Sequence, residues 1–345
     1  VGSEMCIRDR HTDLFTLSNK QGMEVCITNY GARVVSILVP DRNGKREDVV
    51  CGFSTITEYM EQRQNFGSTV GRYIGRILNA RFTLDGVEYK LVPNNGKSGH
   101  ISHGGNPGFA DRIWKVEQAD THRVCLSYLS PDGENGFPGN LKVTLVYSLG
   151  EDDNALDLTY EATTDAPTVL NLSHHSFFNI SGNFTKSVED QQLWVDADCF
   201  TPYDDKKCVT GEYLQVAGTP LDFRMPHAIG ECIDADHPQL KVVNGYDHTW
   251  ELNTKGDDTR PAAWVYDPAS GRKMEIFTTE PGIQIYTGNG LKGKMTGKRG
   301  IAYPFRSAVC FETMHFQDSP NQPEFPSTVL RPGEVFHSHT VYKFE

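Results

Sequence analysis

Alternation of apolar and polar residues is the strongest pattern along the chain. Leu141, Val143, Leu145, Tyr147 and Leu149 alternate with Lys142, Thr144 and Ser148, as a strand with one buried face requires. Leu156, Leu158, Tyr160 and Ala162 alternate in the same way with Asp157, Thr159, Glu161 and Thr163. The acidic turn Glu151 to Asn154 between the two runs predicts an antiparallel hairpin. Asp85-Gly86 predicts another, between Phe82/Leu84 and Tyr89/Leu91, because this dipeptide readily takes the positive φ angles of a type I′ turn. Further strands are predicted at 24–30, 33–39, 124–129, 170–180, 274–278, 283–287, 308–316 and 335–344, against one convincing short helix at 57–64. Many strands punctuated by Gly, Pro and Asn predict an all-β chain, a sandwich or barrel rather than a doubly wound α/β fold. No repeat, low-complexity linker or change of composition divides it, so 11–345 is expected to be a single domain. Residues 1–10, VGSEMCIRDR, show neither period and are expected to be a non-native tail.

Composition narrows the function classes. At 345 residues, with 38% hydrophobic and 23% charged, the chain has the make-up of a globular protein and enough length for a large core. A formal net charge of -12 argues against nucleic acid, which calls for a clustered basic surface, and favours a small neutral ligand. The eight cysteines include no C-x-x-C pair. Cys26, Cys51, Cys125 and Cys310 sit in apolar runs and are expected to be buried free thiols of a reducing, cytoplasmic compartment. No apolar run reaches bilayer-spanning length, so no membrane partner is expected.

Three segments carry candidate chemistry. In 171–179 Leu170, Leu172, Phe178 and Ile180 face one way, while Asn171, Ser173, His175 and Asn179 form a polar face suited to the wall of a cleft. The alternative for His175 is a histidine that only hydrogen-bonds its neighbours. In 308–316 Glu312 shares a face with Cys310, Met314 and Phe316; a carboxyl in such company has a raised pKa, as a general base near neutrality needs, unless it belongs to a structural ion pair. Gly99 to Gly105 is a glycine-flanked loop that brings His100 and His103 towards a ligand. His100/His103 and His337/His339 lack a third ligand at a telling spacing, so no metal site is expected. Gly71-Arg72-Tyr73-Ile74-Gly75-Arg76 lacks the features of a phosphate loop, and the basic run Lys292, Lys294, Lys298, Arg299 would bind a sugar phosphate only if it faced the cleft.

Asn29-Tyr30-Gly31-Ala32, Gly71-Arg72 through Arg76-Ile77, His103-Gly104-Gly105, Asn171 through Asn179, Gly245 to His248, Glu280 to Gln284 and the run ETMHFQDSPNQPEFPSTVLRPGE from Glu312 to Glu334 together resemble the aldose 1-epimerase (galactose mutarotase) family, from about Leu14 to the C-terminus. The resemblance implies a large antiparallel β-sandwich, the β-supersandwich, and interconversion of the α and β anomers of free aldohexoses without a cofactor. Within it His175 matches the general acid and Glu312 the general base, while Arg76, His103, Asp247 and Gln284 match residues that hold the sugar hydroxyls and ring oxygen. The expected partner is the aldohexose alone, on a monomer or weak dimer. Two departures stand out: Gly75 and His174 occupy positions where the family often has Asn, which implies a lost sugar contact and a second imidazole near the acid. A non-catalytic sugar-binding module and a hexose-6-phosphate 1-epimerase are the rival readings.

Overall fold

The structure, a computed structural model, describes residues 5–7 and 10–345, with side chains from His11 onward. Of the expected tail at 1–10 only the backbone pairing of Met5–Ile7 with Arg10–Thr12 is described; otherwise that expectation lies outside the described residues.

The predicted hairpin forms the middle of a nine-stranded antiparallel sheet. Leu141–Leu149 pairs with Asn154–Thr164, with Leu145 opposite Tyr160, and Asn154–Thr164 pairs in turn with the C-terminal strand Phe336–Phe344. Asp85 and Gly86 have φ of 51° and 77°, as the type I′ expectation requires. A six-stranded sheet runs in the order Phe177–Phe178, Val309–Met314, Gly282–Tyr286, Asp247–Glu251, Cys199–Thr201, Leu214–Gln215, and a four-stranded one joins the strands between Leu14 and Asp48.

One apolar cluster locks the three sheets face to face: Leu145, Leu158, Ile276 and Tyr342 from the first, Trp250, Ile283, Val309 and Phe311 from the second, Val25, Ile27 and Val34 from the third. Two tyrosines reach across the layers. Tyr342 donates to the Phe311 carbonyl at 2.7 Å and Tyr147 to the Ala32 carbonyl at 2.6 Å. The expected all-β sandwich is the observed architecture. The helix Ile56–Gln62 is capped by Thr55 and stopped by Arg63 in the left-handed conformation. No described helix is long and apolar enough to cross a membrane.

Two expectations need correction. The strand predicted at 170–180 is broken into Ser173–His175, which pairs with Ser68–Val70, and Phe177–Phe178, which pairs with Val309 and Cys310. Every residue from 168 to 180 is buried, so both faces meet protein and a single regular ladder cannot serve both partners. Cys51 and Cys310 are buried thiols, whereas Cys26 and Cys125 are only partly covered.

Candidate active site

The register of the six-stranded sheet builds the site. Glu312 lies opposite Gln284, and Gln284 opposite Thr249; one pleat along, Cys310 lies opposite Tyr286, and Tyr286 opposite Asp247. Directly opposed residues share a face, so these two rows project together, while Phe311, Ile285 and Trp250 on the other face enter the core. Above the rows lies a cavity of about 600 Å³, lined by Arg76, His103, His175, Asp247, Gln284 and Glu312 among others. All six sequence-predicted site residues therefore meet at one cavity, of ordinary size for a small-molecule pocket.

His175 and Glu312 are nearly inaccessible, 6% and 3% exposed, with Nε2 3.2 Å from Oε1. Among the described residues Glu312 makes no other ion pair. Burial pushes the Glu312 carboxyl well above its ordinary range, with the Asp247 charge adding to it, and pushes the imidazole of His175 well down, with His103 adding to that. Both shifts disfavour isolated charge. With one pKa raised and the other lowered, the pair favours one shared proton, placed either as carboxylic acid beside neutral imidazole or as carboxylate beside imidazolium.

Arg76 and His103 arrive on a two-residue ladder, Arg76–Ile77 against Ile101–Ser102. The Gly75 amide donates to His103 Nδ1 at 3.3 Å, which makes Nδ1 the acceptor and places the ring proton on Nε2. Burial, then the Arg76 charge, lowers the His103 pKa to about 4, so this imidazole is a neutral donor at working pH. The two rings cross edge to face with centroids 5.4 Å apart. Gly104 has φ of 79°, and a Cβ there would stand 2.1 Å from the Gly71 carbonyl oxygen. The loop glycine thus serves a close backbone crossing rather than the approach of a ligand.

An amide network holds the far wall. Gln284 donates to Asp247 Oδ1 at 2.8 Å and accepts from the Thr249 hydroxyl and, at 3.3 Å, from Gln317. Gln317 also donates to the Tyr203 hydroxyl at 2.9 Å and accepts from the Arg76 amide at 3.1 Å. Burial raises the Asp247 pKa, opposed by the Gln284 hydrogen bond and the Arg76 and Lys207 charges. Gln317, Tyr203, Tyr286, Lys207 and Lys292 also line the cavity; sequence reasoning had Lys292 in the basic run, Tyr286 in the strand at 283–287 and Gln317 within the long Glu312 to Glu334 run, and it missed Tyr203 and Lys207. Tyr203 and Lys207 come from an irregular loop where no period marks a face.

Other expectations resolve differently. His174 points away from the cavity: its Nε2 meets Ser176 Oγ at 2.6 Å, its ring packs near Tyr147 and Tyr342, and burial lowers its pKa to about 3. It is not a second imidazole at the acid. Gly75 does line the cavity, and a Cβ there would lie 2.5 Å from Gln317 Cγ, so Gln317 fills the space a larger residue would need. Of the polar face at 171–179, Asn171, Ser173 and Asn179 bond the His315, Thr313 and Ser307 carbonyls, and only His175 reaches the cavity. Of the basic run Lys292 lines the cavity, while Lys298 is paired with Asp48 and Arg299 with Glu47. Arg72 spends its guanidinium on Ser130, Pro138 and Thr168.

Comparison with known proteins gives the family. A family profile described as Aldose 1-epimerase matches residues 13–343. Galactose mutarotase from Bos taurus is 40% identical over 331 residues, which cover 96% of this chain and 93% of that protein. Aldose 1-epimerase from Escherichia coli (strain K12) is 37% identical over 334 residues, 96% of this chain and 94% of its own. The crystal structure of an aldose epimerase homologue from C. elegans superposes with a TM-score of 0.89 at 31% identity, covering 97% of this chain and 99% of that one. With a profile match that takes in every residue of the cavity wall and relatives aligned over nearly their whole length, the chain belongs to the aldose 1-epimerase family.

Proposed function

We propose that the chain is an isomerase that interconverts the α and β anomers of free aldohexoses, galactose and glucose among them. The observation that carries the reading is the buried pair of His175 and Glu312, 3.2 Å apart on the wall of a polar cavity. Anomer exchange opens the bond between C1 and the ring oxygen, which requires a proton delivered to O5 and another removed from the C1 hydroxyl. In the imidazolium–carboxylate form His175 gives its proton to O5 while Glu312 takes the hydroxyl proton. The open aldehyde then faces the other arrangement of the pair, carboxylic acid beside neutral imidazole. Rotation about C1–C2 presents the second face, and closure returns both protons. The pair's proton count is unchanged, so the two arrangements are the two ends of one step.

Each positioned proton-transfer group supplies about a hundredfold to ten-thousandfold. His103 Nε2 donates to the sugar, and Asp247, held by Gln284, accepts from its hydroxyls, with Arg76 supplying a charge-assisted donor. No step here calls for a cofactor or metal. With Lys298 and Arg299 paired elsewhere, the basic loop offers only Lys292 to the cavity, which favours an unphosphorylated sugar. Coupled polarimetry on fresh α-galactose and α-glucose tests the reading, with glucose 6-phosphate as control. Fast relaxation of the free sugars is expected; binding without relaxation identifies a sugar-binding module, and preference for the phosphate identifies the phosphohexose enzyme.

A further inference from the structure

Cys310 projects from the same face of the Val309–Met314 strand as Glu312, and the His175 imidazole meets both of them. Nε2 is 3.2 Å from Glu312 Oε1, and Nδ1 is 3.8 Å from Cys310 Sγ. One ligand atom from each of the three lies within 4.8 Å of the others, and all three side chains are buried. An imidazole gives an ion only one of its two nitrogens, and metal–ligand bonds of about 2.0–2.3 Å in a tetrahedron set the ligand atoms roughly 3.3–3.8 Å apart, so from separations within 4.8 Å the side chains close by about 1.5 Å at most. It is the one such triad among the described residues.

The donor set selects the ion. One sulfur, one imidazole nitrogen and one carboxylate suit zinc or cadmium and not magnesium or calcium, which call for oxygen-rich shells. Thiolate and carboxylate with a neutral imidazole balance a divalent charge, and a neutral assembly is what a buried position tolerates. Coordination releases to solvent the thiol proton of Cys310 and the single proton that His175 and Glu312 share. Two of the three, Glu312 and His175, line the cavity wall, which gives an ion its way in.

We propose that His175, Cys310 and Glu312 form an inhibitory site for a thiophilic divalent cation, zinc or cadmium, which stops anomer exchange by occupying the acid and the base together. Inhibition rests on the function proposed above, whereas binding does not.

The test titrates the chelator-treated full chain with cadmium, following the cadmium–thiolate charge-transfer band in the ultraviolet and polarimetric mutarotation on the same samples. Band and loss of activity rise together to one equivalent, and excess chelator reverses both. Cys310→Ala loses that equivalent of the band, and its inhibition is read against its own metal-free mutarotation. The cadmium needed to halve its activity rises at least about a hundredfold, since even an outer-sphere partner is worth about ten- to a hundredfold in metal affinity. Cys310→Ser, which preserves the volume, gives the same result should alanine disturb folding. A wild-type chain that turns over sugar but shows no cadmium inhibition overturns the metal site alone, as does inhibition undiminished in the Cys310 variants. A Cys310-dependent band in a chain without mutarotation overturns the enzymatic reading and leaves the metal site standing.

Discussion

The hairpin Leu141–Leu149/Asn154–Thr164 and the strand Val309–Met314 are both antiparallel, yet they differ in what the face turned away from the core meets. In the hairpin Leu145, Tyr147 and Leu158 are fully buried while Lys142, Thr159 and Glu161 lie at or near the surface. In Val309–Met314 all six residues are buried, and the face bearing Glu312 lies under the cavity instead of under bulk water. Period two tells which residues share a face. It does not tell whether a polar face meets solvent or a cleft, and that difference separates scaffold from chemistry.

Substitutions sharpen the contrast. The largest effect is expected at the buried pair: His175→Ala and Glu312→Gln should each lose about a hundredfold to ten-thousandfold in kcat by polarimetry, with thermal melting little changed. Next comes the hairpin, where Leu145→Ala should cost about 2–5 kcal/mol in denaturant unfolding and leave kcat per folded molecule unaltered. Asp247→Asn should raise KM about tenfold and spare kcat, since a hydrogen bond to a charged group is worth roughly 1.5–3 kcal/mol; an unchanged KM removes Asp247 from sugar binding.

The smallest effect lies on the hairpin side of the comparison. His339 sits between Asp157 and Asp258, each contact 2.6 Å, and hydrogen bonding to Asp157 first raises its pKa to about 9 despite partial burial. A raised folded-state pKa adds stability that is complete below the unfolded value of about 6.5 and is lost as pH rises through about 9. Melting temperature should therefore fall between these pH values in the wild type and fall less in His339→Gln, with mutarotation unaffected.

Much of this was legible in the sequence because alternation and backbone register are local. The hairpin, the all-β class and the shared face of Cys310, Glu312 and Met314 follow from it. The break at Ser176 did not, because Ser173–His175 and Phe177–Phe178 answer to different partners, Ser68–Val70 and Val309–Cys310, far away in the chain. His174, by contrast, was within reach of alternation. Adjacency to His175 puts it on the opposite face, between Tyr147 and Tyr342. Tyr203 and Lys207 come from a loop whose course depends on the sheets beneath it.

The central claim is that His175 and Glu312 act as one unit that moves a shared proton. Polarimetric kcat for the wild type, His175→Ala, Glu312→Gln and the double variant tests it most directly. Groups that act as a unit are strongly non-additive, so the double variant should be about as slow as the slower single one. Losses that multiply, each substitution costing the same in the presence or absence of the other, would contradict the shared-proton account.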